Sequence, residues 1–179
     1  MLLKSDENSM IRQNALLQEF PFGIPGQPSE ELSEPRTTGP RSLYELWLSK
    51  RGDAEMPKKT QFGPAEMIRY VSWTYMLDIL DEGKDFRVRL YGTELADMVG
   101  KDYTGVLLSE TPDEINWKGE IYQLAYRRRS PIFYVFNLAP FGREYIWSEN
   151  AIFPLADDDG KLAFFLCMTA RIEAPDIVY

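Results

Sequence analysis

Hydrophobic and polar positions alternate most regularly between Trp73 and Tyr91. Trp73, Tyr75, Leu77 and Ile79 interleave with Thr74, Met76, Asp78 and Leu80; beyond Asp81-Glu82-Gly83, Phe86, Val88 and Leu90 interleave with Arg87, Arg89 and Tyr91. Period two on both sides of a glycine-containing turn predicts an antiparallel hairpin. Gly92 then ends the second strand. Thr93 caps a short helix through Glu94, Leu95, Asp97, Met98 and Val99, and Gly100 closes it.

Helical spacing brackets this hairpin. Ser42-Leu43-Tyr44-Glu45 reads as a capping box, after which Leu43, Leu46 and Trp47 form an apolar stripe that needs a cover. Gly63-Pro64-Ala65-Glu66 is a second start, with proline at the first helical position. Thr111-Pro112-Asp113-Glu114 is a third and launches the longest helix. On it Trp117, Ile121, Leu124 and Ala125 share the face expected to meet a sheet, while Lys118, Gln123 and Arg127 fall on solvated positions. Three more strands follow: Ile132 to Leu138, Glu144 to Phe153 and Leu162 to Thr169, separated by turns at Pro140-Phe141-Gly142 and Asp157-Asp158-Asp159-Gly160.

Residues 1–40 lack such regularity. Ile11, Ala15 and Leu16 suit one face of a short helix, but the proline, glycine and acid content from Pro21 to Pro40 reads as a mobile linker through which no backbone ladder runs. The apolar cluster Phe20-Pro21-Phe22 keeps open a second reading, a segment that docks on another chain.

Around Trp47, Met56-Pro57, Gly63-Pro64, Leu77-Asp78, Phe86, Arg89-Leu90, Gly92-Thr93, Leu95, Gly100, Asp102 and Thr104-Gly105, the chain resembles the bacterial single-domain PAS proteins typical of alphaproteobacteria. The resemblance spans residues 41–171. It implies an α+β fold, a five-stranded antiparallel sheet with helices on one face, and N-terminal helices that cover the open face or pair two subunits. The corresponding division is a tail and linker over 1–40, flanking helices over 41–72, the PAS domain over 73–171 and a tail over 172–179. Asp78, Arg89, Gly92, Thr93 and Gly105 stand on its motif positions. A homodimer is accordingly expected, with Leu43, Leu46 and Trp47 as its interface.

Composition narrows the functional classes. With Asp+Glu 28 against Lys+Arg 20, a net charge of −8 opposes nucleic acid and anionic lipid as partners. Histidine is absent, which removes Ser-His-Asp and Cys-His catalysis, imidazole zinc sites and a proximal-histidine haem. The single Cys167 lies in an apolar run and reads as a small core residue. No signal-peptide core or run of membrane-spanning length is visible, so a cytoplasmic protein without membrane insertion is expected.

Few constellations carry chemistry. Arg127-Arg128-Arg129 complements the negative end of a helix better than it suggests an anion clasp. Asp157-Asp158-Asp159-Gly160 lacks the glutamate of a calcium loop, since position twelve is Met168. Asp78 is either an acid or base of a cone-shaped α+β enzyme or the cross-strand partner of Arg87 or Arg89, and the pairing suits the resemblance better. Tyr122, Tyr126, Tyr134, Phe136, Tyr145, Trp147, Phe164 and Phe165 supply core or pocket material, with Asn137, Ser148 and Asn150 as polar groups to orient a ligand. The pocket is expected to draw on Leu77, Val88, Met98, Tyr122, Tyr134, Phe136, Trp147, Asn150 and Phe165. No Asn-Cys-Arg-Phe-Leu-Gln flavin signature is present, and no cofactor or metal is identified.

The expected function is a PAS sensor or adaptor, not an enzyme, that binds an unknown small molecule or a signalling partner such as a histidine kinase or regulator. Output in cis is not expected. The alternatives are a small cone-fold enzyme using Asp78 or a tyrosine, and a purely structural dimerisation module with a filled core.

Overall fold

The computed structural model describes residues 29–112 and 118–173. The alternation around Gly83 folds as β2 (Thr74–Leu80) and β3 (Asp85–Tyr91), paired antiparallel with Asp78 opposite Arg87 and Ile79 opposite Phe86. The turn between them requires glycine for two reasons. Gly83 has φ +85°, and a Cβ there would lie 2.6 Å from the Tyr126 ring.

Strands β4 (Ile132–Leu138), β5 (Arg143–Ala156) and β6 (Leu162–Ile172) form the second half of the sheet, and β6 pairs with β2 to join the halves. The α+β antiparallel sheet is as expected. It has six strands rather than five, because β1 (Ser29–Leu32) adds to the outer edge of β4 and gives the order β1-β4-β5-β6-β2-β3.

β1 corrects the reading of that segment as a linker without a ladder. Composition averaged over Pro21 to Pro40 hid a proline-free run from Ser29 to Glu34, and a short ladder needs no more than that. Leu32 is buried, and Glu31 forms an ion pair with Arg128 at the end of the helix Lys118–Arg128, so the strand is held by side chains as well as by backbone. Arg128 and Arg129, which pairs with Glu55 at 2.6 Å, thus form ion pairs where the sequence suggested only a complement to the helix end. At 11 described residues the helix Lys118–Arg128 is shorter than the 14 of Thr38–Arg51, contrary to the expectation that it is the longest.

The first helix, α1 (Thr38–Arg51), starts four residues ahead of the expected capping box. Its cap is non-local. The buried carboxylate of Glu149 on β5 accepts from the Arg36 and Thr37 backbone amides and from Thr37 Oγ1, at 3.0–3.2 Å. Ser42 instead exchanges a 2.7 Å hydrogen bond with the Tyr70 hydroxyl. A second, one-turn helix α2 (Pro64–Met67) begins where Gly63-Pro64 predicts, and Gly63 N donates to Glu66 Oε2.

α1 lies on the sheet of its own chain. Leu43 and Trp47 are buried, Leu46 is half-buried against the same core, and Trp47 Nε1 donates to the Pro154 carbonyl at 2.9 Å. Tyr44 meets the Phe133 ring edge-on at 5.0 Å and stacks on Phe153. This corrects Leu43, Leu46 and Trp47 as a dimer interface: the stripe is covered within one chain, the other role open to such a helix.

The opposite face carries α3 (Thr93–Val99) and α4 (Lys118–Arg128). Gly92, not Thr93, is the N-cap of α3, and Thr93 makes no capping bond. Only glycine fits at 92, since a Cβ would fall 2.3 Å from the Ser72 carbonyl oxygen. On α4, Ile121, Leu124 and Ala125 are buried as the helical spacing predicts, and Tyr122 with them. Trp117, the cap residues Asp113 and Glu114, the Ile11-Ala15-Leu16 stripe, Phe20-Pro21-Phe22 and most of the 172–179 tail lie outside the described residues.

Candidate functional site: a cavity over one sheet face

Strand alternation assigns the two faces. Phe133, Ala151 and Phe153 point toward α1, so Phe136, Ser148 and Asn150, of opposite parity, point toward α3 and α4. There a cavity of about 50 Å³ remains between sheet and helices. Tyr75, Leu77, Val88 and Tyr91 enter it from β2 and β3, Leu95, Met98 and Val99 from α3, and Lys118 and Tyr122 from α4. Phe136, Ser148, Asn150 and Thr169 complete it from the central strands, and Tyr103 and Phe141 from loops.

Of the expected pocket residues, Leu77, Val88, Met98, Tyr122, Phe136 and Asn150 lie in this lining. Tyr134 and Phe165 are fully buried on the same face but outside it. Trp147 is a correction. It shares parity with Ala151, and one strand cannot present both Trp147 and the adjacent Ser148 to the same face. Asn137 also departs from a ligand role, because its side chain donates to Glu144 O and accepts from Ala139 N, closing the β4–β5 turn. Tyr145, on the parity of Trp147, is exposed.

A chain of hydrogen bonds runs across the central strands. Thr169 Oγ1 donates to Asn150 Oδ1 at 2.9 Å, Asn150 Nδ2 to Ser148 Oγ at 3.0 Å, and Ser148 Oγ to the Phe136 carbonyl at 3.1 Å. All three side chains are buried, so these bonds both satisfy them and fix their positions. Nearby, the Tyr75 and Tyr122 hydroxyls pair at 2.8 Å.

Lys118 is the cavity residue that helical periodicity missed. Expected in solvent, it sits half-buried with its ammonium 5.2 Å from the Phe141 ring centroid, 5.8 Å from Phe136 and 5.9 Å from Tyr75. A signal was present in its spacing of four from Tyr122, a pocket candidate on the same helix side. Among the described residues lining the cavity it alone carries a charge, and no described carboxylate pairs with it.

Burial sets the protonation of the whole face. It lowers Lys118 to about 8 and raises the Cys167 thiol to about 12. It also lifts Tyr75, Tyr122, Tyr91 and Tyr134 well above the ordinary phenol range, and Tyr103 less. At neutral pH the tyrosines and Cys167 are therefore neutral and Lys118 is mostly cationic. Cys167 is fully buried, a poor setting for a thiolate.

The motif residues hold the frame rather than line the cavity. Asp78 and Arg89 form a 2.6 Å ion pair, with Arg89 also over the Phe164 ring at 5.5 Å. The pair sits on the α1 side of β2 and β3, so Asp78 cannot reach a group bound in the cavity. Gly105 N donates to Val88 O at 2.7 Å and ties the following loop to the outer edge of β3.

A six-stranded antiparallel sheet with helices packed on both faces, one of them over a small lined cavity, is an α+β architecture. The family model described as PAS domain matches residues 36–168, well over half of the chain. The chain belongs to the PAS domain family, whose members serve in general as sensor and signalling modules. No curated protein matches it. Among the described residues, no helix is long and apolar enough to cross a membrane, and no cluster of acids and cysteine gathers that could hold a metal.

Proposed function

We propose that this chain is a bacterial cytoplasmic PAS sensor or adaptor that binds a small molecule in the cavity between β2–β6 and the helices α3 and α4. Its occupancy is read by a separate signalling protein, such as a histidine kinase or a regulator. The observation that carries this reading is the contrast inside the cavity itself. An apolar space is faced by a fixed polar row, Ser148-Asn150-Thr169, and by one cation, the few convergent polar groups that orient a ligand in an apolar pocket. Asp78, the candidate acid or base of the enzyme reading, is engaged with Arg89 on the other sheet face, which favours binding over turnover.

The test is to unfold the purified protein and identify released small molecules by mass spectrometry, in parallel with Val88→Phe, which narrows the cavity. A molecule released stoichiometrically from the wild type and missing from a folded Val88→Phe protein supports the proposal. Equal release from both proteins, or neither release nor ligand-induced stabilisation in the wild type, overturns it.

A further inference from the structure

Lys118 restricts what the cavity can hold. A protonated amine brings three N–H donors, and among the described residues none of them reaches an oxygen or nitrogen acceptor; its neighbours are three ring faces. Ring faces attract a cation but do not neutralise it, and the half-buried Lys118 ammonium, partly withdrawn from water, still has no paired anion among the described residues. The lining offers no described carboxylate to pair with, and by the same token none to repel an anion.

The donors of the polar row already have acceptors, so the row can orient a ligand but does not answer this charge. Thr169 donates to Asn150, Asn150 to Ser148 and Ser148 to a backbone carbonyl, so the hydroxyls and the amide serve one another first. Tyr75 and Tyr122 likewise share one bond. The strongest unmet demand in the cavity is therefore for a single negative charge. Its volume of about 50 Å³ holds only a few water-sized groups, which excludes nucleotides, flavins and haem. A phosphate dianion would leave one charge uncompensated against a single lysine and lacks the guanidinium fork that such groups favour.

We propose that the ligand is a small monocarboxylic acid, its carboxylate bound by Lys118 Nζ and its short aliphatic tail lying against Leu77, Val88 and Leu95. The assignment rests on the cavity being a ligand site, as argued above, and names its chemistry.

Other titratable groups do not blur the charge balance. Tyr75 from β2, Tyr91 from β3, Tyr103 from the loop after α3 and Tyr122 from α4 itself share the cavity with Lys118, Cys167 acts on it from β6 and Tyr134 lies behind the lining on β4, and burial keeps each of them neutral across the range in which Lys118 titrates. β5 contributes only Ser148 and Asn150. Binding of a carboxylate should therefore weaken as pH rises through about 8, where the empty site loses its proton.

Propionate and its uncharged isostere propionamide are titrated into the full chain by NMR, with Lys118→Gln and Lys118→Met as variants. The wild type should bind propionate at least about tenfold more tightly than propionamide at neutral pH, the worth of a modest charge pair. That preference should vanish in either folded variant and shrink at about pH 9.5 in the wild type. Equal binding of acid and amide, or a preference that survives in the variants, overturns the carboxylate assignment while leaving a functional cavity. Failure of acetate, propionate and butyrate alike to bind at millimolar concentration also overturns it, and the sensor reading is then judged separately by the molecule released on unfolding. Using two variants guards against one of them failing to fold.

Discussion

The two faces of this sheet are built from the same strands and finished differently. Toward α1 the contacts are aromatic and closed: Trp47, Tyr44, Phe133 and Phe153 pack ring against ring, and the indole N–H is satisfied by the Pro154 carbonyl. Toward α3 and α4 the alternate residues of the same strands include Ser148, Asn150 and Thr169, and the helices leave space. Polar atoms held by one another in a space that apolar side chains could have filled set this face apart, and the proposed binding role rests on that difference. The α1 face is where the fold is secured.

That contrast fails first if the α1 face is not the stabilising one. Trp47→Ala should lower unfolding free energy by about 3–5 kcal/mol, the cost of truncating a buried aromatic, as read from urea denaturation. A loss below about 1 kcal/mol, the level of a surface change, would mean that α1 is a loosely held cover.

Next in size is the anchor of α1. Glu149→Ala removes the acceptor for two backbone amides and a hydroxyl, and should cost about 2–3 kcal/mol. Hydrogen exchange should then accelerate at the first turn of α1 before it does so in β4 or β6. Uniform acceleration would show that the cap acts on the whole fold.

The cavity face should show the opposite behaviour, a residue kept at a cost in stability. Lys118 has its amine lowered from 10.5 to about 8 in the fold. Below about 8 both folded and unfolded chains hold the proton, and the buried charge destabilises in full. Between about 8 and 10.5 the folded chain has released it while the unfolded chain has not, so this contribution to stability rises with pH. Cys167, raised from 9.0 to about 12, and the buried tyrosines work in the other direction as pH climbs past their ordinary values. The comparison is therefore made as a difference: Lys118→Met should be more stable than wild type at neutral pH, with the gap closing as pH approaches 10.5. A gap independent of pH would show that the charge is not what burial penalises.

The smallest effect is expected at the half-exposed Asp78–Arg89 pair. Asp78→Ala should change stability by less than about 1 kcal/mol and leave ligand binding untouched, as for other solvent-screened pairs. Loss of binding in that variant would connect the two faces in a way their geometry does not suggest.

Much of this architecture was legible before folding. Alternation marked β2, β3 and β5, β-branched, aromatic and apolar runs marked β4 and β6, the glycines at 83 and 92 marked a turn and a strand end, and six of the expected pocket residues line the cavity because they sit on parities or helix positions that local periodicity defines. Trp147 was misread because period two states that neighbours diverge without stating which of them faces the helices. Lys118 was misread because helical periodicity orders residues around an axis but not how far a neighbouring loop, here bearing Phe141, closes over them.

The sequence by itself determined the strand and helix segments, the hairpin turn and the membership in the PAS family, all of which depend on residues near one another in the chain. Only the tertiary structure decided where α1 begins, that β1 exists and which face is hollow. The physical reason is distance along the chain: Glu149 caps a helix whose Thr37 is 112 residues away, and Arg128 holds Glu31 across 97. Local capping and proline signals lose to such contacts because a buried carboxylate must find its donors wherever the fold brings them.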